Sequence, residues 1–302
     1  MNPKTPVHRR VSVKSFAKVN LALDVLKKEK TYHRLLTVFY QIGLHDTIIF
    51  QTQNNPDIHL ICDNPQVPTN QTNTILQAAN LLKKYAADKP ELRQRITGLR
   101  IRLIKRIPVA SGLGGGSSNA AVTLATLNRL WKLRIPAKKL HGLAATIGMD
   151  VPFFLDGGIA VGKHYGEKIT KLPDLKKLPI IIIHPAIKKI STQKIYGELD
   201  LSKTGRRRID TQKLIRHLKN TNSSRSDMLL HLGALCHNDF DTAKSLQQNK
   251  ILTLRKKLLR HAPLLVQSCG SGMAQMALYK SHHAKTKAHR ELKRSRLFLW
   301  HA

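Results

Sequence analysis

A glycine-rich run at residues 108–121, Pro-Val-Ala-Ser-Gly-Leu-Gly-Gly-Gly-Ser-Ser-Asn-Ala-Ala, constrains this chain more than any other feature. Glycines lack side chains, so backbone N–H groups can turn inward and approach an anion closely. A helix that follows adds its free N-terminal amides and the positive end of its dipole. The run therefore reads as a phosphate-holding loop. It is not a Walker A loop, which ends in Gly-Lys-Ser/Thr; here the glycines pass into Ser117-Ser118-Asn119. Dinucleotide spacing does not fit either. A flexible Gly/Ser linker is the competing reading, and the helical stretch 120–131, free of Gly and Pro, argues against it.

The flanking sequence supplies the context. Residues 11–25 alternate toward a strand, 35–50 are β-rich, and 57–63 form a short strand. Residues 73–85 carry an amphipathic helix that Asn73 caps, with Ile75, Ala78, Ala79, Leu81 and Leu82 on its buried side. Residues 99–104 form the strand that leads into the glycine loop. Helices are expected at 117–132 and 137–148, and strands at 157–161 and 180–184. Residues 209–260 are mostly helical. A small-residue turn and a strand occupy 266–279, a helix 281–293 and a last strand 296–300. The one linker candidate is 201–208. Early strands and late helices make the class α+β.

The 302 residues, 41% hydrophobic, suffice for a large core in one or two tightly joined domains. Cys62, Cys236 and Cys269 are widely spaced, match no metal pattern and leave an odd thiol, as expected of a reduced, cytoplasmic protein. No apolar run reaches membrane-spanning length, and the N-terminal stretch with Lys4, Arg9 and Arg10 has no apolar signal core. The net charge of +34 invites a nucleic-acid reading. The basic residues, however, are scattered, and aromatics are only 5%. The charge reads as a surface bias that steers anionic substrates and gives incidental nucleic-acid adhesion.

Other motifs accompany the loop. Lys18 lies on an apolar strand in Ala17-Lys18-Val19-Asn20-Leu21, either as a solvated edge residue or as a buried ammonium beside a transferred phosphoryl group. Asp150 sits in Gly148-Met149-Asp150-Val151-Pro152, where an acid in apolar company needs a partner; it is a turn aspartate or a general base. Tyr32-His33, Ser191-Thr192 before Tyr196, and Cys269-Gly270-Ser271-Gly272 complete the set. In this order the motifs resemble the GHMP kinase superfamily, and within it the branch whose acceptor is a polyol carrying a cytidine diphosphate group. The resemblance covers residues 12–300.

The resemblance implies the two-domain GHMP kinase fold, with an N-terminal ATP-binding domain over 1–165, a C-terminal domain over 166–302, and the active site in the cleft between them. It implies ATP and Mg²⁺ as cofactors and transfer of the γ-phosphoryl to an alcohol of an isoprenoid precursor. Lys18 and Asp150 take the catalytic positions. Lys105, Pro108, Val109, Ala110, Ser111, Gly112, Leu113, Gly114, Gly115, Gly116, Ser117 and Ser118 take the ATP site, with Ser117 or Ser118 as the candidate metal ligand. Asn20, Tyr32, His33, Thr192 and Tyr196 take the acceptor site, where Tyr32 and Tyr196 sandwich the cytosine and His33 hydrogen-bonds it. Gly114 and Gly115 are expected at positive φ or within reach of a phosphate. The 270–272 turn is expected to support the loop, and Asn238-Asp239-Phe240 to be structural.

Three departures stand out. Lys30-Thr31 replaces the family's Asp-Gly before Tyr-His, Met273 replaces a common Ser or Thr, and Gly162 to Glu167 stretches a Gly-x-Gly-Glu element. A homoserine or mevalonate-type kinase and an inactive nucleic-acid-binding relative remain the alternatives. So does the choice between monomer and homodimer.

Overall fold

The computed structural model describes residues 9–29, 32–185, 190–220, 224–293 and 298–301, the last four as backbone only. In chain order the elements are β1 (Arg10–Glu29), β2 (Tyr32–Gln53), β3 (Ile58–Cys62), α1 (Thr74–Ala87), α2 (Pro90–Arg93), β4 (Gly98–Ile104), α3 (Gly115–Leu130), α4 (Ala137–Ile147), α5 (Val151–Asp156), β5 (Ile159–His164), β6 (Lys168–Lys171) and β7 (Ile180–His184). They continue with α6 (Thr192–Gly197), α7 (Arg208–Lys219), α8 (Arg225–Leu235), β8 (His237–Asn238), α9 (Asn249–Leu259), β9 (Leu265–Ser268), β10 (Gln275–Leu278), α10 (His282–Lys293) and β11 (Phe298–His301). Lys30 and Thr31 lie outside the described residues, as do Lys4 and the start of the expected 296–300 strand. The class is α+β, as the sequence implies. No described helix is long and apolar enough to cross a membrane.

The chain packs into two units, neither continuous in sequence. One holds the described residues up to Phe16, His45–Ile107 and Gly115–Leu155; the other holds Ala17–Leu44, Pro108–Gly114 and the described residues from Asp156 onward. In the first, β4 pairs antiparallel with β2 (Ile48↔Leu103) and parallel with β3 (Ile58↔Leu99). Leu99, Ile101 and Leu103 of β4 are buried while Arg100 and Arg102 are exposed, the period of two that a one-sided sheet requires. Onto that face pack α1 and α3, with Ile75, Leu82, Leu124, Leu127 and Trp131 in the core. Asn73 caps α1 as expected, its side chain accepting from the N–H of Ile75.

In the second unit β5 pairs antiparallel with β2 (Leu35↔His164), β6 with β5, and β8 runs parallel to β1 at Ala22↔His237. A separate antiparallel sheet has the order β11-β7-β10-β9. Its central strand β7 is an unbroken buried Ile run, the pattern of a strand covered on both faces. The β9–β10 connection is the small-residue turn read from the sequence. The expected 201–208 linker is instead a pinned turn. Asp239 Oδ2 accepts from Gly205 N at 2.7 Å and from Val25 N at 2.8 Å, fixing the turn to β1.

Candidate active site

The glycine loop folds into an anion-binding geometry. Ala110, Gly112 and Gly114 have φ of 58°, 82° and 71°, whereas no positive φ falls on Ser111 or Leu113. Alternating left-handed residues turn successive amides toward one side, the arrangement of a phosphate-cradling nest. Within the loop, Ser111 Oγ donates to Pro108 O at 2.8 Å and accepts from Leu113 N at 3.3 Å. Gly115 begins α3 and is not left-handed, so of the two alternatives expected for it the positive φ does not apply. Its lack of a side chain answers to crowding instead, since a Cβ there would stand 3.0 Å from Ile107 Cγ2 and from Lys105 Nζ.

Several distant segments converge on this loop inside the second unit. Lys18 N donates to Leu113 O at 3.0 Å, tying β1 to the nest. Gly112 and Gly272 interlock so closely that a Cβ on Gly272 would lie 2.0 Å from Gly112 N. Ala274 N donates to Ser111 O at 3.2 Å. The turn is held from behind by Asn238, whose Nδ2 donates to Ser268 O and Gly270 O. Lys18 is only 3% exposed, so it is no solvated edge residue. Its ammonium donates to Asn20 Oδ1 at 2.7 Å and sits 5.4 Å from the Phe39 ring centre. Asn20 Nδ2 donates on to Thr37 Oγ1, which donates to Ala22 O. A Cβ on Gly270 would come within 3.3 Å of Lys18 Nζ, Asn20 Oδ1 and Gly112 O, so lysine, asparagine and nest share one neighbourhood. Burial beside these groups pushes the Cys269 thiol up to about 12, leaving it unreactive.

In the first unit, Ser117 is half-buried in the first turn of α3, and Ser118 is buried with its Oγ accepting from Ser15 at 2.7 Å. Thr74 Oγ1 donates to Gly116 O. Lys105 is bonded to Asp46 Oδ2 at 2.6 Å, while Asp46 Oδ1 accepts from Arg106 N and Ile107 N. Burial draws the Lys105 ammonium below its usual pKa by more than Asp46 raises it. Asp46 escaped the sequence reading; its one signal was an acid inside the apolar stretch 44–50. Asp150 is half-buried on the turn between α4 and α5, directly before Val151, in the first unit, whereas Lys18 belongs to the second.

The aromatic residues sit differently from the simplest clamp. His33 stacks on Tyr196 with ring centres 4.8 Å apart and a 19° interplanar angle, and Phe240 meets Tyr196 edge-on. Tyr32 is 51% exposed and pairs with Tyr165 at 5.2 Å. Burial, then the nearby Lys28, lower the His33 pKa, which keeps the imidazole neutral near pH 7 and able both to donate and to accept. Thr192 is exposed at the start of α6, and Ser271 Oγ of the turn approaches its hydroxyl at 3.5 Å. Met273 is buried near Phe240 and Ile195.

A nest opening onto a helix, with a buried lysine at its side, is a device for holding and transferring phosphate, and residues 73–158 match the family GHMP kinases N terminal domain. The relatives narrow that class. Over 285 residues the chain is 33% identical to the 4-diphosphocytidyl-2-C-methyl-D-erythritol kinase of Alkaliphilus metalliredigens, covering 94% of this chain and 93% of that one. The protein of the same description from Alkaliphilus oremlandii is 35% identical over 287 residues, with the same coverages. A solved structure of 4-(cytidine 5'-diphospho)-2C-methyl-D-erythritol kinase aligns at a TM-score of 0.74 and 27% identity, over 96% of this chain and 97% of that one. The chain belongs to the 4-diphosphocytidyl-2-C-methyl-D-erythritol kinase family of GHMP kinases.

Proposed function

We propose that this chain transfers the γ-phosphoryl of ATP to the tertiary 2-hydroxyl of 4-diphosphocytidyl-2-C-methyl-D-erythritol, a step of isoprenoid precursor synthesis by the non-mevalonate route. The observation that carries the phosphoryl-transfer half is the left-handed alternation at 110, 112 and 114 beside buried Lys18. Amides of the nest and the N-terminus of α3 bind phosphate oxygens, and Lys18 stabilises charge on the transferring group. Asn20 aims that ammonium through its 2.7 Å hydrogen bond. Asp150 accepts the hydroxyl proton as general base. Lys105 supports the loop's entry.

The cytidine half rests on Tyr196 and His33. A stacked, neutral imidazole and a phenol offer flat faces and hydrogen-bonding edges of the kind a pyrimidine base recognises. Tyr32 adds a further face and Thr192 a hydroxyl. Of the two serines, Ser117 suits Mg²⁺ better, because the Ser118 oxygen already accepts from Ser15. When bound, the ion neutralises the phosphate charge, and a hydroxyl-only protein donor set leaves most of its ligands to phosphate and water.

The test is Asp150→Asn. It keeps the shape and removes the proton acceptor, so kcat is expected to fall by roughly 10²–10⁴-fold with little change in either KM. Lys18→Ala is expected to cost at least as much. An Asp150→Asn enzyme with wild-type kcat removes Asp150 from the mechanism.

A further inference from the structure

The second unit contains a cavity of about 1090 Å³ that neither the nest nor the aromatic residues line. Its walls are the outer parts of β1 and β2, the end of β5, the 201–205 turn and α7. Its floor is apolar, with Val25, Leu26, Leu35, Leu36 and Ile215. Its rim is cationic. Among the described residues, six of the sixteen that line it are Lys or Arg and none is acidic, whereas Lys and Arg make up 52 of the chain's 302 residues. The rim is therefore about twice as basic as the chain's own bias accounts for.

The partners of these cations sharpen the point. Glu29 reaches Arg34 at 3.4 Å, and Glu167 is engaged by His164 at 2.6 Å. Lys27, Lys28, Lys163, Arg208 and Arg216 have no carboxylate partner among the described residues. Cations gathered around one concavity without counter-charge repel one another, and a multiply charged anion relieves that repulsion.

The walls are also fixed in advance. Asp239 pins the Gly205 turn to Val25, and Thr211 of α7 donates to Asp24 of β1 at 2.6 Å. Gly205 holds φ +67°, with Leu26 Cδ2 3.1 Å from where a Cβ would be, so the turn closes directly on the floor. The geometry points to a second ligand site, separate from the catalytic residues, for a small organic diphosphate carrying a short apolar chain. The concave shape and apolar floor select a small molecule over a nucleic acid, which needs an extended track and aromatic stacking faces. The diphosphate sits among Lys163, Arg208 and Arg216, and the chain lies on Leu26, Leu36 and Ile215. Lys28 borders this site and also lowers the His33 pKa, so an anion here acts on the acceptor residues through charge.

The test is calorimetric titration of the full chain with a five-carbon alkyl diphosphate, with inorganic pyrophosphate and with a single-stranded RNA 12-mer. Each titration is done with a non-hydrolysable ATP analogue and CDP at saturation, so that the catalytic site is filled. Lys163 and Arg208 are exposed, so Lys163→Ala/Arg208→Ala leaves the core intact. The alkyl diphosphate is expected to bind at one site per chain, more tightly than pyrophosphate, and to lose at least about tenfold in the double variant. No binding of the alkyl diphosphate with the catalytic site filled, affinity unchanged in the variant, or displacement by the RNA 12-mer at equal phosphate concentration each overturns the assignment.

Discussion

Gly272 lies far along the chain from the glycine loop, yet its replacement by alanine is expected to damage nucleotide binding. A Cβ there would stand 2.0 Å from Gly112 N, 2.1 Å from Ser111 C and 2.2 Å from Ser111 O. All three are backbone atoms, so no rotamer change relieves the clash, and the turn and the nest must separate by roughly 1 Å or more. The motion strains the Ala274 N to Ser111 O and Lys18 N to Leu113 O bonds. Overpacking costs about 1–3 kcal/mol, and weakening two backbone hydrogen bonds adds about 1–2 kcal/mol. The resulting loss of ~2–5 kcal/mol lowers Tm by about 3–8 °C in a chain of this length. Misaiming one or two nest amides is expected to weaken ATP about 10–100-fold, the worth of charge-assisted hydrogen bonds. Differential scanning fluorimetry and titration with an ATP analogue read the two effects. Gly142→Ala is the control: a Cβ there meets nothing within 4 Å, and it lies inside α4. That variant is expected to gain about 0.5–1 kcal/mol and keep its nucleotide affinity. A Gly272→Ala protein with wild-type Tm and ATP affinity refutes the interlock as a support of the loop.

Two further outcomes follow from buried charge. Lys105→Met strands the fully buried Asp46 carboxylate and is expected to cost about 3–5 kcal/mol in chemical denaturation, more than the double variant Lys105→Met/Asp46→Leu; equal losses refute the pair. His237 has Nδ1 3.0 Å from Leu235 O and Nε2 3.0 Å from Asp24 Oδ1, both acceptors, so only the doubly protonated ring donates to both. Burial lowers its pKa, but these bonds raise it more, despite opposition from Arg207, leaving it above the usual value. Its stabilising contribution is therefore complete below the unfolded pKa of about 6.5 and is lost as pH rises through the folded value. The stability gap between wild type and His237→Gln, measured by denaturation from pH 5.5 to 9, is expected to be widest at the acid end; a gap that widens toward alkaline pH contradicts the assignment.

The sequence was most readable where periodicity is local. The alternation in β4, the Asn73 cap of α1 and the continuous Ile run of β7 each appear within a few residues, and each formed where expected. Short α5 and α6 carry too few turns to show a helical period, and Pro152 disguises α5, although proline is tolerated in a first turn. The glycine loop announced itself, but its φ pattern did not. Ala110 is left-handed against the preference of its side chain, and Gly115 is helical. The interlock of Gly112 with Gly272, the Asp46–Lys105 pair and the stack of His33 on Tyr196 all join residues distant in sequence. No composition or spacing encodes such meetings. The 201–208 stretch, polar enough to read as a linker, is held by the Asp239 carboxylate at Gly205 and by Arg207, which donates to Ala234 O and Cys236 O.

The most direct test of the proposed function is coupled ADP release by the purified chain with ATP and Mg²⁺, across matched concentrations of 4-diphosphocytidyl-2-C-methyl-D-erythritol, homoserine and mevalonate. The expected result is a kcat/KM at least about 10³-fold higher for the cytidylated alcohol, because the other two have no base to hold and lose roughly 4 kcal/mol of stacking and hydrogen bonding. Comparable turnover of homoserine or mevalonate, or no ADP release with the cytidylated alcohol, contradicts it.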